Sequence, residues 1–212
     1  MEVTIKDYIR KEKNYKFIVR IVNPLFKIIK KYNVINQNIF PDNDGLIIIF
    51  SHKDYWDAPL IFSIMGARPI HALGKTELTK TIIGKVLGFM GAVFVDRNDP
   101  IDCKRAKEEL LTLANNGRNI MIAPEGTRNK TSALLGPFIG YSAVSIAQKT
   151  GKPIVPFAIS KTGKKGKQRL IRICNPMHVG PDENLGEVNE RLFNILHIAL
   201  LENEKELDRN IE

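Results

Sequence analysis

Three titratable side chains, His52, Asp54 and Asp57, fall within six residues of the stretch SHKDYWDAPL. They follow directly on GLIIIF (residues 45–50), a run too apolar and β-branched to sit outside a core. A histidine beside a carboxylate can serve as a general base. The carboxylate fixes the tautomer through one ring nitrogen and leaves the other to take a proton. On a continuous helix His52 and Asp57 would stand about 140° apart, so the pair needs a turn. Asp57 suits an N-cap, with Ala58 and Pro59 in the first helical turn. His52 then lies in the strand-to-helix turn, and the chain can fold back on the imidazole. On spacing alone Asp54 is an equally good partner.

A second constellation is the turn PEGTR (124–128). Gly126 lets the backbone approach a ligand, Thr127 offers a hydroxyl, and Arg128 offers a planar fork suited to phosphate. The same five residues also fit a plain β-turn with a Glu125–Arg128 surface pair. Lys75 in GKTEL and Arg97 in FVDR each read singly as exposed charges. All of these groups, however, follow predicted strands, and in a parallel α/β sheet ligands gather where strands end and helices begin.

The elements that must position them are legible in the periodicity. Strands are predicted at 46–50, 69–73, 92–96, 119–123, 153–159 and 170–174. Helical segments fall near 58–65, 78–89, 100–115, 140–149 and 185–205. In the last of these Leu185, Val188, Leu192, Ile195, Leu196 and Ala199 share one face. The breaker-rich KTGKKGKQR (161–169) reads as an exposed loop between two strands. Alternation of strand and helix means an α/β domain, a single one with a largely parallel central sheet flanked by helices, over residues 40–212. It is preceded by a basic amphipathic helical segment within residues 1–39. Over 16–32, Lys16, Arg20, Asn23, Lys27, Lys30 and Lys31 occupy one sector. Phe17, Ile18, Ile21, Val22, Leu25, Ile28, Ile29 and Tyr32 fill the other side, and Pro24 interrupts the run.

Composition narrows the classes. Lys and Arg number 32 against 23 Asp and Glu, a formal charge of +9 that favours an anionic partner. No stretch approaches the roughly 18 apolar residues of a membrane span, and the N-terminus does not read as a signal peptide. Cys103 and Cys174 form no CxxC pair and read as reduced thiols of a cytoplasmic compartment. A nucleic-acid binder would need interleaved aromatics on a basic strand face, or a helix-turn-helix or zinc signature, and none is present. A metal-dependent hydrolase built on His52, Asp54, Asp57 and Asp96 fails on ligand supply. The chain has four histidines, and none pair at ligand spacing, so no metal is expected.

Taken together, His52-x4-Asp57, GAVFVDR (91–97), PEGTR (124–128) and KPIVPFAI (152–159) stand in the order and spacing of the four motifs of the glycerophosphate acyltransferase superfamily. Over residues 40 to 180 the chain most resembles its 1-acylglycerol-3-phosphate (lysophosphatidate) acyltransferases. The resemblance implies acyl transfer from acyl-CoA or acyl-carrier protein, used as substrate without a further cofactor, to the free hydroxyl of a lysophosphatidate-like lipid. The product would be phosphatidic acid. Another lysolipid, a different lysophospholipid or an ornithine-type one, is the alternative acceptor. The resemblance makes His52 the base and Asp57 its orienting partner. It assigns Lys75, Arg97, Glu125, Gly126, Thr127 and Arg128 to the acceptor, and Pro153, Ile154, Val155 and Pro156 to the acyl-donor side. No acyl-enzyme is needed, since a thioester is already activated, and no GxSxG nucleophile motif occurs. The family pattern is broken in two places. Gly136-Pro137-Phe138-Ile139-Gly140 stands where members carry a basic Pro-Phe-Lys segment, and Ser51 stands where Asn is common. The expected location is the cytoplasmic face of the cell membrane, peripheral or monotopic, with the basic helix on an anionic membrane surface and no transmembrane helix.

Overall fold

A computed structural model describes residues 5–29, 31–162 and 168–209. The most apolar run of the chain becomes the centre of the sheet. Strand β2 (Ile47–Phe50) is buried on both faces and pairs in parallel with β6 (Ile154–Thr162) on one side and β5 (Asn119–Ile122) on the other. Continuous β-branched runs are what a strand covered on both faces needs. Beyond β5 lie β3 (Ile70–Lys75) and then β4 (Val93–Val95), both parallel. Beyond β6 the direction reverses. Strand β7 (Gln168–Ile173) pairs antiparallel with β6, and β1 (Lys31–Ile35) pairs parallel with β7. The seven strands run in the order β1-β7-β6-β2-β5-β3-β4.

Side chains alternate between two apolar layers. Leu46, Ile48 and Phe50 pack with α1 (Ile5–Ile29) and α2 (Asp57–Met65) through Tyr15, Val19, Leu60 and Ile61. Ile47 and Ile49 face α4 (Pro100–Asn115), α5 (Ser142–Thr150) and α6 (Leu185–Arg209) through Leu110, Val144, Leu192 and Leu196. The face predicted for α6 is the one it buries.

Three elements depart from expectation. The predicted helix 78–89 is split: Thr76–Lys80 forms a 3-10 turn, and α3 (Ile82–Phe89) starts afresh where Thr81 Oγ1 accepts from Gly84 N–H at 3.0 Å. The first helix begins by Ile5, earlier than expected, because Tyr8, Tyr15 and Val19 form its buried stripe. Tyr32 leaves that helix for β1, so residues 31–35 belong to the sheet, although the expected boundary set them apart at residue 39. Charge patterning misled here: lysines flank a short edge strand and extend the apparent helical period. The expected loop 161–169 is shorter than predicted, since Lys161 and Thr162 end β6 and Gln168 and the buried Arg169 begin β7. Residues 163–167, Lys30, and the side chains of residues 25–29, Lys31, Thr162 and Gln168 lie outside the described set.

Candidate active site

The C-terminal ends of β2, β3, β4 and β5 share one rim, and the polar turns that follow them converge there. Helix α2 begins at Asp57 itself, with Trp56 in the N-cap position. The expected cap is therefore shifted by one residue, and the carboxylate folds back over the turn. Asp57 Oδ2 accepts from the backbone N–H groups of Lys53 at 2.8 Å and Asp54 at 2.6 Å, and lies 3.2 Å from His52 Nδ1. Asp57 thus reaches the ring, while the Asp54 side chain turns away. The Asp57 side chain is 3% exposed and that of His52 is 20%. The carboxylate is dry and fixed, and the imidazole reaches solvent. With Nδ1–H donating to Asp57, Nε2 carries the lone pair that can accept a proton.

Glu125 ties this turn to PEGTR. Its Oε1 accepts from His52 N–H and its Oε2 from Gly136 N–H, each at 2.7 Å. Asn129 N–H donates to the His52 carbonyl at 2.7 Å. Burial holds the Glu125 pKa above its ordinary value, with the two backbone donors opposing that only in part. Both oxygens are spent on backbone amides, so Glu125 shapes the rim from inside rather than facing a ligand. Gly126 has φ +66°, and a Cβ there would stand 2.7 Å from Arg97 Nη1 and 1.9 Å from Ile139 Cδ1. The left-handed φ favours glycine here, and a side chain would have to displace the ends of Ile139 and Arg97.

Arg97 is half-buried and, among the described residues, has no carboxylate within 4.0 Å. Burial lowers its pKa, and Glu77 and Cys103 oppose that. Arg128 lies over the Tyr55 ring, 3.4 Å from the centroid, with Nη2 donating to the hydroxyl at 2.7 Å. Lys75 closes β3, half-buried, and Thr127 is exposed. Arg97, Gly126, Leu73, Val95, Ile122 and Ile139 help line a cavity of about 230 Å³. None of Pro153, Ile154, Val155 or Pro156 lines it. Ile154 and Val155 are fully buried on opposite faces of the sheet, because β6 is a central strand.

Nothing in the sequence marks Tyr55, and Ser51 shows there only as a departure from the family pattern, without its role. The Ser51 hydroxyl, fully enclosed, accepts from Ile159 N–H at 2.9 Å and fixes the end of β2 to β6. A polar residue closing an all-apolar strand was the available signal.

Comparison with known proteins decides the family. The family model described as Acyltransferase matches residues 31–160, more than half of the chain. The chain belongs to the acyltransferase family. Among curated relatives it is 32% identical over 133 residues to the chloroplast 1-acyl-sn-glycerol-3-phosphate acyltransferase of Brassica napus, covering 60% of this chain and 36% of that one. To the enzyme of that name from Borreliella burgdorferi it is 32% identical over 128 residues, covering 60% and 50%. The chain thus spans about a third to a half of the length of these two. The family's fold is shared as well. A crystal structure of a 1-acyl-sn-glycerophosphate acyltransferase from Thermotoga maritima superposes with a TM-score of 0.70 at 21% identity, over 96% of this chain and 84% of that one.

Proposed function

We propose that the protein transfers an acyl group from acyl-CoA or acyl-carrier protein to the free hydroxyl of 1-acylglycerol-3-phosphate, giving phosphatidic acid, with no cofactor beyond the donor. The observation that carries the reading is the His52–Asp57 pair at 3.2 Å on the same rim as Arg97, a half-buried cation with no carboxylate within 4.0 Å among the described residues. His52 Nε2 takes the proton of the acceptor hydroxyl as its oxygen attacks the thioester carbonyl. The tetrahedral intermediate collapses, the C–S bond breaks, and the thiolate leaves with the proton returned from the imidazolium. Asp57, held by two amides, keeps the ring in one tautomer and stabilises its charged form. Arg97 and Arg128 hold the acceptor phosphate, with Lys75 and Thr127 beside them on the rim. The cavity beside Gly126, mostly apolar but with Arg97 and Lys107 in its lining, suits part of an acyl chain, and Pro153 to Pro156 act only by supporting the β2 floor.

The lipid acceptor needs a surface to come from, and an anionic membrane at the cytoplasmic face is the partner proposed here. No helix among the described residues is long and apolar enough to cross a membrane. Helix α3 leaves Ile82 82% and Ile83 67% exposed, and the neighbouring α1 leaves Phe17 61% exposed, joined to α3 where Asn14 Nδ2 donates to the Phe89 carbonyl. Exposed lysines Lys80 and Lys85 flank this face, as an anionic leaflet requires. Since Tyr15 and Val19 of α1 are core, point variants and not truncation are the proper probe. Ile82→Ser with Ile83→Ser should abolish flotation with phosphatidylglycerol vesicles. Unchanged flotation rejects this face.

The reaction is tested with radiolabelled acyl-CoA and acyl-carrier protein against a panel of lysolipids. Product with lysophosphatidate at rates well above those with monoacylglycerol or lyso-ornithine lipid is the expected result. Preference for either of the latter overturns the acceptor.

A further inference from the structure

The turn that carries His52 and Asp57 is held by a further acid. Asp54 Oδ2 accepts from Arg169 Nη2 and from Lys161 Nζ, each at 2.8 Å. Lys161 and Arg169 are register partners on β6 and β7, so one carboxylate ties the turn to the antiparallel end of the sheet. The Arg169 side chain is 4% exposed and that of Asp54 is 17%. An exposed ion pair would contribute little, but an enclosed guanidinium needs its countercharge and fixes whatever supplies it. Asp54 also faces the other way: its backbone N–H donates to Asp57 Oδ2 at 2.6 Å, beside that of Lys53. Side chain to the strands and amide to the dyad, this residue connects the two.

We propose that Asp54 is a positioning residue: its carboxylate, clamped by Lys161 and Arg169, fixes the turn so that the amides of Lys53 and Asp54 hold Asp57 against His52 Nδ1. The proposal rests on the acyl-transfer reading of that dyad. Burial of Asp54 raises its pKa, but the hydrogen bond from Lys161 and the charges of Lys161 and Arg169 outweigh it, and the group is ionised at neutral pH. Asn at this position keeps the shape and removes the charge that the two cations grip. The turn then loosens, and small displacements of a catalytic group cost about ten- to a hundredfold in rate.

The test places Asp54→Asn in the natural sequence and in Asp57→Asn, with acyl transfer measured in all four proteins. Alone, Asp54→Asn should lower kcat about ten- to a hundredfold and leave the acceptor KM within about twofold. In the Asp57→Asn background it should cost nothing further, because the residue acts through Asp57. The same penalty in both backgrounds would mean that Asp54 only keeps the protein folded, and the proposal falls. Should Asp54→Asn fold poorly, Lys161→Met removes one clamp from the exposed side and should show a smaller loss with the same pattern. A readout without turnover is amide hydrogen exchange, which should quicken at Lys53 and Asp54 in Asp54→Asn but not along β2. Unaltered exchange at those two amides overturns the positioning role. Altered exchange in a protein that acylates no lysolipid supports the positioning role and removes only the acyl-transfer reading.

Discussion

Among the described residues two histidines stand beside carboxylates, at opposite ends of neighbouring parts of the sheet, and they serve opposite ends. His52 lies past the end of β2, with Asp57 3.2 Å away and two amides gripping that carboxylate. His71 lies near the start of β3 and is fully buried. Its Nδ1 is 2.9 Å from the Gly91 carbonyl and its Nε2 is 3.6 Å from Glu12 of α1, while Tyr8 meets it edge-on. Glu12 is shared with Arg118, whose Nε lies 3.1 Å away. The residue pairing is the same, but the second ring is enclosed on all sides. It joins α1 to the sheet and has no open nitrogen to offer a substrate. A His–carboxylate contact becomes chemistry only where one ring nitrogen is left facing space that a substrate can enter.

The comparison breaks most visibly if either histidine does the other's work. His52→Ala should lower turnover by about 10² to 10⁴ with its urea midpoint unchanged. His71→Ala should cost about 2–4 kcal/mol of stability while the folded fraction keeps its turnover. Acyl-transfer rates and urea unfolding of both variants decide it, and a His71→Ala protein that is folded but inactive would end the distinction. The carboxylates should divide in the same way. Asp57→Asn should lose about 10²-fold in kcat. Glu12→Gln should lose about 1–3 kcal/mol in unfolding free energy with kcat intact.

The nearby cations sharpen it further. Arg118 is held by a carboxylate, whereas Arg128 rests on an aromatic ring and can exchange that contact for an anion. Arg128→Ala should raise the KM for a phosphorylated lysolipid about thirtyfold, equivalent to about 2 kcal/mol, and leave that for monoacylglycerol unchanged. Lysine at 128 should restore the binding in part, lacking the planar fork. Equal penalties on both acceptors would assign Arg128 to the fold or the donor.

The smallest effect is one of pH. Burial lowers the His71 pKa below its usual range, against the opposing pull of the Gly91 carbonyl and of Glu12, with Arg118 adding to the lowering. The unfolded chain therefore takes up a proton, as pH falls through about 6.5, that the folded chain refuses. Stability should fall with pH from about 7 to 5, by at most about 1.4 kcal/mol per pH unit from this group. His71→Gln should flatten that slope in urea titrations at pH 7, 6 and 5. An unchanged slope assigns the dependence elsewhere.

Much of this was legible in the sequence because the informative residues are local. The apolar run before His52, the turn after it and the glycine of PEGTR announce strand ends and sharp turns by themselves. What stayed hidden depends on partners far along the chain. Glu125 looks like a ligand in its own pentapeptide and turns inward only because the amides of His52 and Gly136 meet it there. Ile154 and Val155 sit in a matching motif yet are core, since nothing local shows that β6 lies between β2 and β7. Glu12 and His71, separated by 59 positions, carry no motif that would pair them. Helix and edge strand blurred over residues 16–32, where closely spaced lysines suit either.

Glu125 also sets the order in which the molecule can come to life. One carboxylate joins amides at positions 52 and 136, and its His52 contact spans 73 residues. Those atoms meet only after β2 and β5 have paired across two intervening strands and three helices. Helical content can recover early in refolding, since it needs only neighbours along the chain, but the dyad has no floor until this long-range closure is complete. With the role proposed for the His52–Asp57 pair, turnover should therefore return later in refolding than helical content.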